Sequence, residues 1–402
     1  MESSGTSKPP WLSRKTSTPS APAVQAVLAY APWKADASSA LLAAKEDIAP
    51  LEASRRWELI KKMVNPYEIV FTHEDTHFHP SLSSIKPLSR SYFKMVEMFA
   101  VLDFFDRLPK QQVKIRSAHV AEGPGGFIQA LVDLAERYRR TLHQATAMTL
   151  KPTDTHVPGW RRATAFLHAH KEVKLHYGAD GTGDIYLPAN QASFVATTHP
   201  GVDLFTADGG FDFSIDYSIQ EKQVFRLLCS SATIGLRCLS ENGCMVLKLF
   251  DIFSESTRIL LVLLGRCFKE WMLYKPCLSR PCNSERYFLG RCFRGVSKET
   301  LRHLDEFQGR VAAENTYPIG LASFATAEET EYLAQQSAAS VEQQLVALKR
   351  AMTYRDHPEV WYADQLPRDF ETSLAWCYKY RIPTNRTKPL TVLSQGQSQA
   401  PK

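Results

Sequence analysis

The chain has 402 residues, 44% of them apolar, with 48 Lys and Arg against 42 Asp and Glu. The formal net charge of +6 permits attraction to RNA phosphate without requiring it, and the length allows one large α/β domain with an appendage or two domains. No apolar run approaches the roughly 20 residues a bilayer span needs, and the N-terminus has no hydrophobic signal core, so a soluble intracellular protein is expected. The eight cysteines include no C-x-x-C pair and several sit in apolar runs, which reads as small buried hydrophobes in a reducing compartment and not as zinc ligands.

Residues 1–30 are read as a disordered tail, rich in Ser, Pro, Thr and Ala to about residue 25 and carrying Lys8, Arg14 and Lys15. Residues 31–110 form a helical lead-in. Helical periodicity runs from about 40 to 65 on Leu51, Trp57, Leu59, Ile60 and Met63. It resumes over 91–108 on Phe93, Met95, Met98, Phe99, Leu102 and Phe105. Strand and helix signals then alternate across 111–297, as in an α/β domain. Strands are predicted at 117–121, 145–150, 202–207, 244–250, 271–274 and 286–292, and helices at 127–140, 217–239 and 256–268. Residues 298–387 form a helical extension, with good helix formers through 328–352. Its aromatic-rich run at 358–381 is expected to pack as core more than to stack on RNA. Residues 388–402 read as a second tail.

Ala121-Glu-Gly-Pro-Gly-Gly-Phe127 falls between a predicted strand and a predicted helix, where glycines permit a tight turn and close approach of a ligand. The spacing is neither that of a dinucleotide fingerprint nor that of a P-loop. An acidic flank without a phosphate-binding cation suits a ligand with an amino-acid end and no pyrophosphate, such as S-adenosylmethionine; a plain tight turn is the alternative. Ligands of open α/β sheets bind at the carboxyl ends of the strands. Asp208 follows one such strand, and Lys248 lies near the end of another that is otherwise apolar. A lysine there is costly unless it is paired or functional, or unless the strand is an edge from which it can snorkel. Burial and a nearby cation would lower its pKa and suit a general base acting on a ribose hydroxyl.

Several stretches together resemble the FtsJ-like methyltransferases, and in particular the cap-specific mRNA nucleoside-2′-O-methyltransferases. They are Asn65-Pro-Tyr-Glu68, Ser89-Arg-Ser-Tyr-Phe-Lys94-Met, the 121–127 loop, Met148-Thr-Leu-Lys151, and Tyr177-Gly-Ala-Asp-Gly-Thr-Gly-Asp-Ile185. Ala207-Asp-Gly-Gly-Phe211, Val246-Leu-Lys-Leu-Phe-Asp-Ile-Phe253 and Ser279-Arg-Pro-Cys-Asn-Ser-Glu-Arg-Tyr287 complete the match. The resemblance implies a Rossmann-like fold, an α/β seven-stranded, mostly parallel sheet flanked by helices. It also implies S-adenosylmethionine as cofactor and a Lys-Asp-Lys-Glu catalytic set, here Lys94, Asp208, Lys248 and Glu285. In that set Lys248 takes the 2′-hydroxyl proton. Asp208 and Glu285 orient the lysines, and Lys94 positions the hydroxyl and depresses the pKa of Lys248.

For the cofactor the resemblance points to Ser89, where Asn is the commoner residue, to Glu122, Gly123, Pro124, Gly125, Gly126 and Phe127, and to Asp184 and Ile185. For the capped RNA it points to Lys61, Asn283 and Glu285; a solvated helix end is the plainer account of Lys61. The expected partner is the 5′ end of capped mRNA, methylated at the first transcribed nucleotide, with RNA polymerase or the capping machinery as further partners. The location would be nuclear, or cytoplasmic for a viral protein. Rival readings are an rRNA or tRNA methyltransferase, an enzyme of later cap nucleotides, and an inactive RNA-binding module. The histidines and acids of 73–79 fall in an expected loop and are not read as a metal site.

Overall fold

The computed structural model describes residues 11–13, 28–52, 55–72, 78–152, 159–210 and 220–385. Its strands are β1 (Leu12–Ser13), β2 (Ala29–Ala31), β3 (Lys114–Val120), β4 (Thr141–Met148), β5 (Val173–His176), β6 (Val202–Ala207), β7 (Leu239–Leu249), β8 (Phe268–Tyr274), β9 (Arg286–Phe293) and β10 (Tyr317–Ile319). The helices up to the fourth strand of the sheet are α1 (Ser39–Glu52), α2 (Arg55–Met63), α3 (Ser91–Leu102), α4 (Phe104–Arg107), α5 (Gly126–Arg137), α6 (Thr164–Ala169) and α7 (Pro188–Ala196). Those that follow are α8 (Gln220–Cys238), α9 (Glu255–Gly265), α10 (Lys298–Glu314), α11 (Leu321–Phe324), α12 (Ala327–Asp356), α13 (Pro358–Val360) and α14 (Leu366–Lys379).

The main sheet runs β1-β8-β9-β7-β6-β3-β4-β5. Seven strands make the Rossmann-like sheet, and β1 adds a two-residue edge. The pairs β3–β4, β3–β6, β4–β5 and β6–β7 are parallel, while β9 pairs antiparallel with both β7 and β8. The chain steps outward from β3 in both directions. The gap between the carboxyl ends of β3 and β6 is therefore the switch point where such folds bind ligands.

Strand alternation divides the core into two layers. Phe205, Ala207, Met245, Leu247 and Leu249 pack with α8 and α9 on one face. Leu204, Cys244, Val246, Tyr287 and Leu289 join α3, α5 and the C-terminal helices on the other. Lys248 shares the parity of Cys244 and Val246, so its side chain emerges on the α3 face, at the strand end where that core layer gives way to a cavity.

The structure departs from the sequence expectations at element ends. The predicted 91–108 helix breaks at Asp103, which takes a left-handed conformation (φ 52°) between α3 and α4. Part of the 1–30 segment is ordered. Leu12 pairs with Trp271 of β8, Leu28 is buried in the core, and β2 pairs with β10. Half of the 358–381 aromatics pack as core, while Tyr362 and Tyr378 are exposed. Trp361, Phe370 and Trp376 are buried, with the indole N–H groups of the two tryptophans donating to Asp369 and Glu97. Residues 73–77, which hold most of the His and acid cluster, and 388–402 lie outside the described residues.

Candidate active site

Sheet register assembles the centre of the site. Val120 pairs with Ala207, so Ala121-Glu122 and Asp208 leave the sheet side by side. Ala207 pairs with Leu247, which sets Lys248 beside Asp208, and Lys248 itself pairs with Tyr287 across the antiparallel β7–β9 ladder. Glu285 stands just before β9. Lys94 arrives from the first turn of α3.

The four expected side chains meet. Lys94 Nζ lies 2.5 Å from Glu285 Oε1, and Lys248 Nζ lies 3.5 Å from Glu285 Oε2 and 3.6 Å from Asp208 Oδ1. Tyr287, fully buried, donates its hydroxyl to Asp208 Oδ1 at 2.9 Å. Burial raises the Glu285 carboxyl, but Lys94 and Lys248 outweigh it and hold the group well below the usual carboxylate range. For Lys248 burial pulls the amine down, yet Asp208 and Glu285 prevail and its pKa ends above the ordinary lysine value. The direction is opposite to the depression expected from Lys94, because Asp208 and Glu285 face the Lys248 amine.

A single cavity of about 1040 Å³ runs past this cluster. One end is walled by Ser89, Glu122, Gly123, Pro124, Thr149, Leu150, Gly183, Asp184, Ile185 and Tyr186. The other is walled by Lys45, Ile48, Trp57, Lys61, Arg280, Cys282 and Asn283. Asp208, Lys248 and Glu285 line the middle, and Lys94 stands behind Glu285. Of the expected cofactor residues, Gly125, Gly126 and Phe127 do not line the cavity. Phe127 is a core side chain against Tyr287, and a Cβ on Gly126 would come within 2.3 Å of the Ser89 and Ser91 hydroxyls. Gly126 is therefore needed for α5 to dock against the start of α3. Gly183 has φ +73°, and a Cβ there would sit 2.1 Å from Thr149 O, so only glycine closes that wall. Lys61 reaches the cavity while paired with Glu58.

Glu122 is buried beneath the glycine loop. Its Oε1 accepts from the Thr206 hydroxyl, and its Oε2 lies 3.2 Å from His119 Nδ1. Burial raises its carboxyl above the ordinary value, against the pull of His119.

Sequence reasoning missed the residues that hold the outer half of the cluster. Lys275 Nζ donates to Asn283 O (2.7 Å), Asn283 Oδ1 (3.0 Å) and Glu285 O (2.9 Å), which pins the loop that presents Glu285. Burial pulls its amine down to about 7, with Arg286 and Lys94 adding to the effect against Glu285. Ser279 donates to Glu285 Oε1 at 2.7 Å. Glu68 of the Asn65-Pro-Tyr-Glu motif is buried and bridges Arg90 and Arg280, each at 2.8 Å. Asn190, fully buried, donates to Asp180 Oδ1 and Asp184 O and so braces the 177–185 loop. Glu68 and Ser279 stand in stretches that carry the resemblance, and Lys275 is a cation directly after the predicted strand 271–274, whereas Asn190 carries no such signal.

The profile of the FtsJ-like methyltransferase family matches residues 87–293. The chain is 31% identical over 248 residues to a cap-specific mRNA (nucleoside-2′-O-)-methyltransferase 1 of Xenopus laevis, covering 56% of this chain and 27% of that protein. It is 34% identical over 218 residues to a cap-specific mRNA (nucleoside-2′-O-)-methyltransferase 2 of Danio rerio, covering 52% and 29%. A methyltransferase 1 of the same description from Trypanosoma brucei brucei is 34% identical over 188 residues, covering 46% and 49%. The chain therefore spans between about a quarter and a half of the length of these relatives.

Proposed function

The chain belongs to the FtsJ-like methyltransferase family, and from that premise we propose that it methylates a ribose 2′-hydroxyl in the 5′ cap of mRNA, at the first transcribed nucleotide. One observation carries the reading. A single cavity joins a glycine-walled end, the paired Lys94, Asp208, Lys248 and Glu285, and an end lined by Lys45, Lys61 and Arg280. The named activity of the relatives supports the same choice of substrate.

The residues present fit S-adenosylmethionine. The wall at Gly183 admits no side chain, and the glycine loop carries no phosphate-binding cation. The Asp184 carboxylate would hold ribose hydroxyls, and the Glu122–Pro124 loop the amino-acid end. When bound, the cofactor supplies a methyl group on a sulfonium whose positive charge opposes protonation of a nearby amine.

Lys248 receives the 2′-hydroxyl proton. Asp208 and Glu285 raise its amine against burial, and the sulfonium charge of a bound donor would oppose that raise. Glu285, ionised throughout, fixes Lys94 and Lys248 in one plane of approach. Asp208 is aimed by Tyr287. Lys94, behind Glu285, holds that carboxylate in place as the second cation of the cluster. Holding acceptor and donor together contributes through proximity. The outer cations Lys45, Lys61 and Arg280 meet the negatively charged triphosphate of the cap, with Asn283 beside them.

The test is methylation of capped and uncapped RNA with labelled donor, followed by digestion to locate the methyl group. Label on the first transcribed ribose of capped RNA alone is the expected result. Equal label on uncapped RNA would shift the reading to an rRNA or tRNA enzyme.

A further inference from the structure

A second concavity, a surface groove of about 760 Å³, lies behind the cofactor end of the main cavity. The two share a wall. Lys151 of the groove follows Leu150 of the cavity, and its backbone N–H bonds Thr182 O beside Gly183. The groove presents Lys151, Arg161, His168 and Lys171, all exposed, and no Asp or Glu among the described residues that line it.

Two aromatics accompany the cations. Lys151 Nζ sits 5.9 Å over the Tyr177 ring. Trp160 lines the groove, and its indole N–H is buried with no hydrogen-bond partner among the described residues. Exposed cations beside the half-buried Tyr177 ring make a surface suited to single-stranded RNA, whose phosphates meet the cations.

We propose that this groove binds the phosphodiester backbone of the RNA outside the methylated nucleotide, holding the body of a longer transcript against the enzyme. The proposal rests on RNA being the substrate. A phosphate seated there is neutralised by Arg161 and Lys171. Trp160 also touches the cofactor loop, since a Cβ on Gly125 would lie 3.1 Å from its ring. An RNA held in the groove therefore presses on the wall of the donor site.

The experiment compares the full chain with Arg161→Glu/Lys171→Glu by fluorescence anisotropy and steady-state methylation, on a capped tetranucleotide and on a capped RNA of about twenty nucleotides. The expected result is that the variant binds the longer RNA about tenfold or more weakly. Its slope of log affinity against log salt should also be shallower by about 1.4, or about 0.7 for each phosphate that is no longer neutralised. The kcat, and the KM for the tetranucleotide, should be unchanged. The uncharged Arg161→Gln/Lys171→Gln pair should show the same selectivity at smaller size. Unchanged affinity for the longer RNA overturns the groove while leaving the activity standing, and so does an equal loss on both RNAs. A wild-type chain that binds neither RNA overturns the groove and the proposed function together.

Discussion

The candidate site has two halves built on different principles. Asp208 and Lys248 stand at the ends of adjacent parallel strands, and the ladder that pairs Ala207 with Leu247 sets their spacing. Lys94 and Glu285 come from a helix and a loop 191 residues apart, and long-range polar contacts hold them. Lys275 and Ser279 pin the Glu285 loop. The Arg90–Glu68–Arg280 bridge ties that loop to the N-terminal segment, and Glu97 ties it to α14. Backbone hydrogen bonds make the first half rigid. The second half is as good as its buried polar network, so the elements flanking the sheet act as the mounting for half of the chemistry.

The comparison breaks first at Lys248. Lys248→Met should leave the fold and cofactor binding intact and lower single-turnover methylation by roughly 10³-fold or more, the scale of a lost general base. A variant that kept full activity would remove the sheet-borne half from the chemistry. Glu285→Gln should cost less, roughly 10²-fold, because Lys248 survives. It should also move the pH profile. With both carboxylates present the Lys248 amine is raised, so the rate should climb with pH through an alkaline limb. Removing one carboxylate disfavours the protonated amine and shifts that limb to lower pH; a limb that stays in place would show that another group sets it. Lys275→Met should lower kcat by about tenfold at nearly constant cofactor affinity, since the lysine acts through the position of Glu285. Rescue by Arg would separate positioning from folding, because Arg could still donate to the Asn283 and Glu285 carbonyls.

The sheet-borne half was legible in the sequence for a local reason. Asp208 ends an apolar run before two glycines, and Lys248 interrupts another, so each carries its own signal within a few residues. Lys94 and Glu285 carry none, and family resemblance alone pointed to them. The network behind them was invisible because its members lie far apart in the chain, Glu97 and Trp376 by 279 residues and Glu68 and Arg280 by 212. The pKa of Lys248 was misjudged. Burial lowers the amine, but Asp208 and Glu285, which the resemblance set beside it, raise it by more. Strand order beyond the glycine loop was partly legible, though β5 is short and its alternation too brief to stand out.

The smallest expected effect is at Glu97, and it tests whether the flanking elements reach the chemistry at all. This carboxylate is fully buried three residues after Lys94. It accepts from the Tyr274 hydroxyl, the Cys277 N–H and the Trp376 indole N–H. Those donors are the end of β8, the start of the Glu285 loop and helix α14. Glu97→Gln keeps the shape but replaces one acceptor oxygen with a donor, so at least one buried N–H or O–H loses its partner, at a cost of about 1–3 kcal/mol. The urea midpoint should fall accordingly. If α14 and the loop are coupled through Glu97, kcat should also fall a few-fold while KM for the cofactor stays constant. Lys275→Met made in the Glu97→Gln background should then cost less than it does alone, since both changes loosen the same loop. Full additivity of the two would mean that α14 stabilises the fold without bearing on where Glu285 sits, and the mounting would reduce to Lys275, Ser279 and the Glu68 bridge.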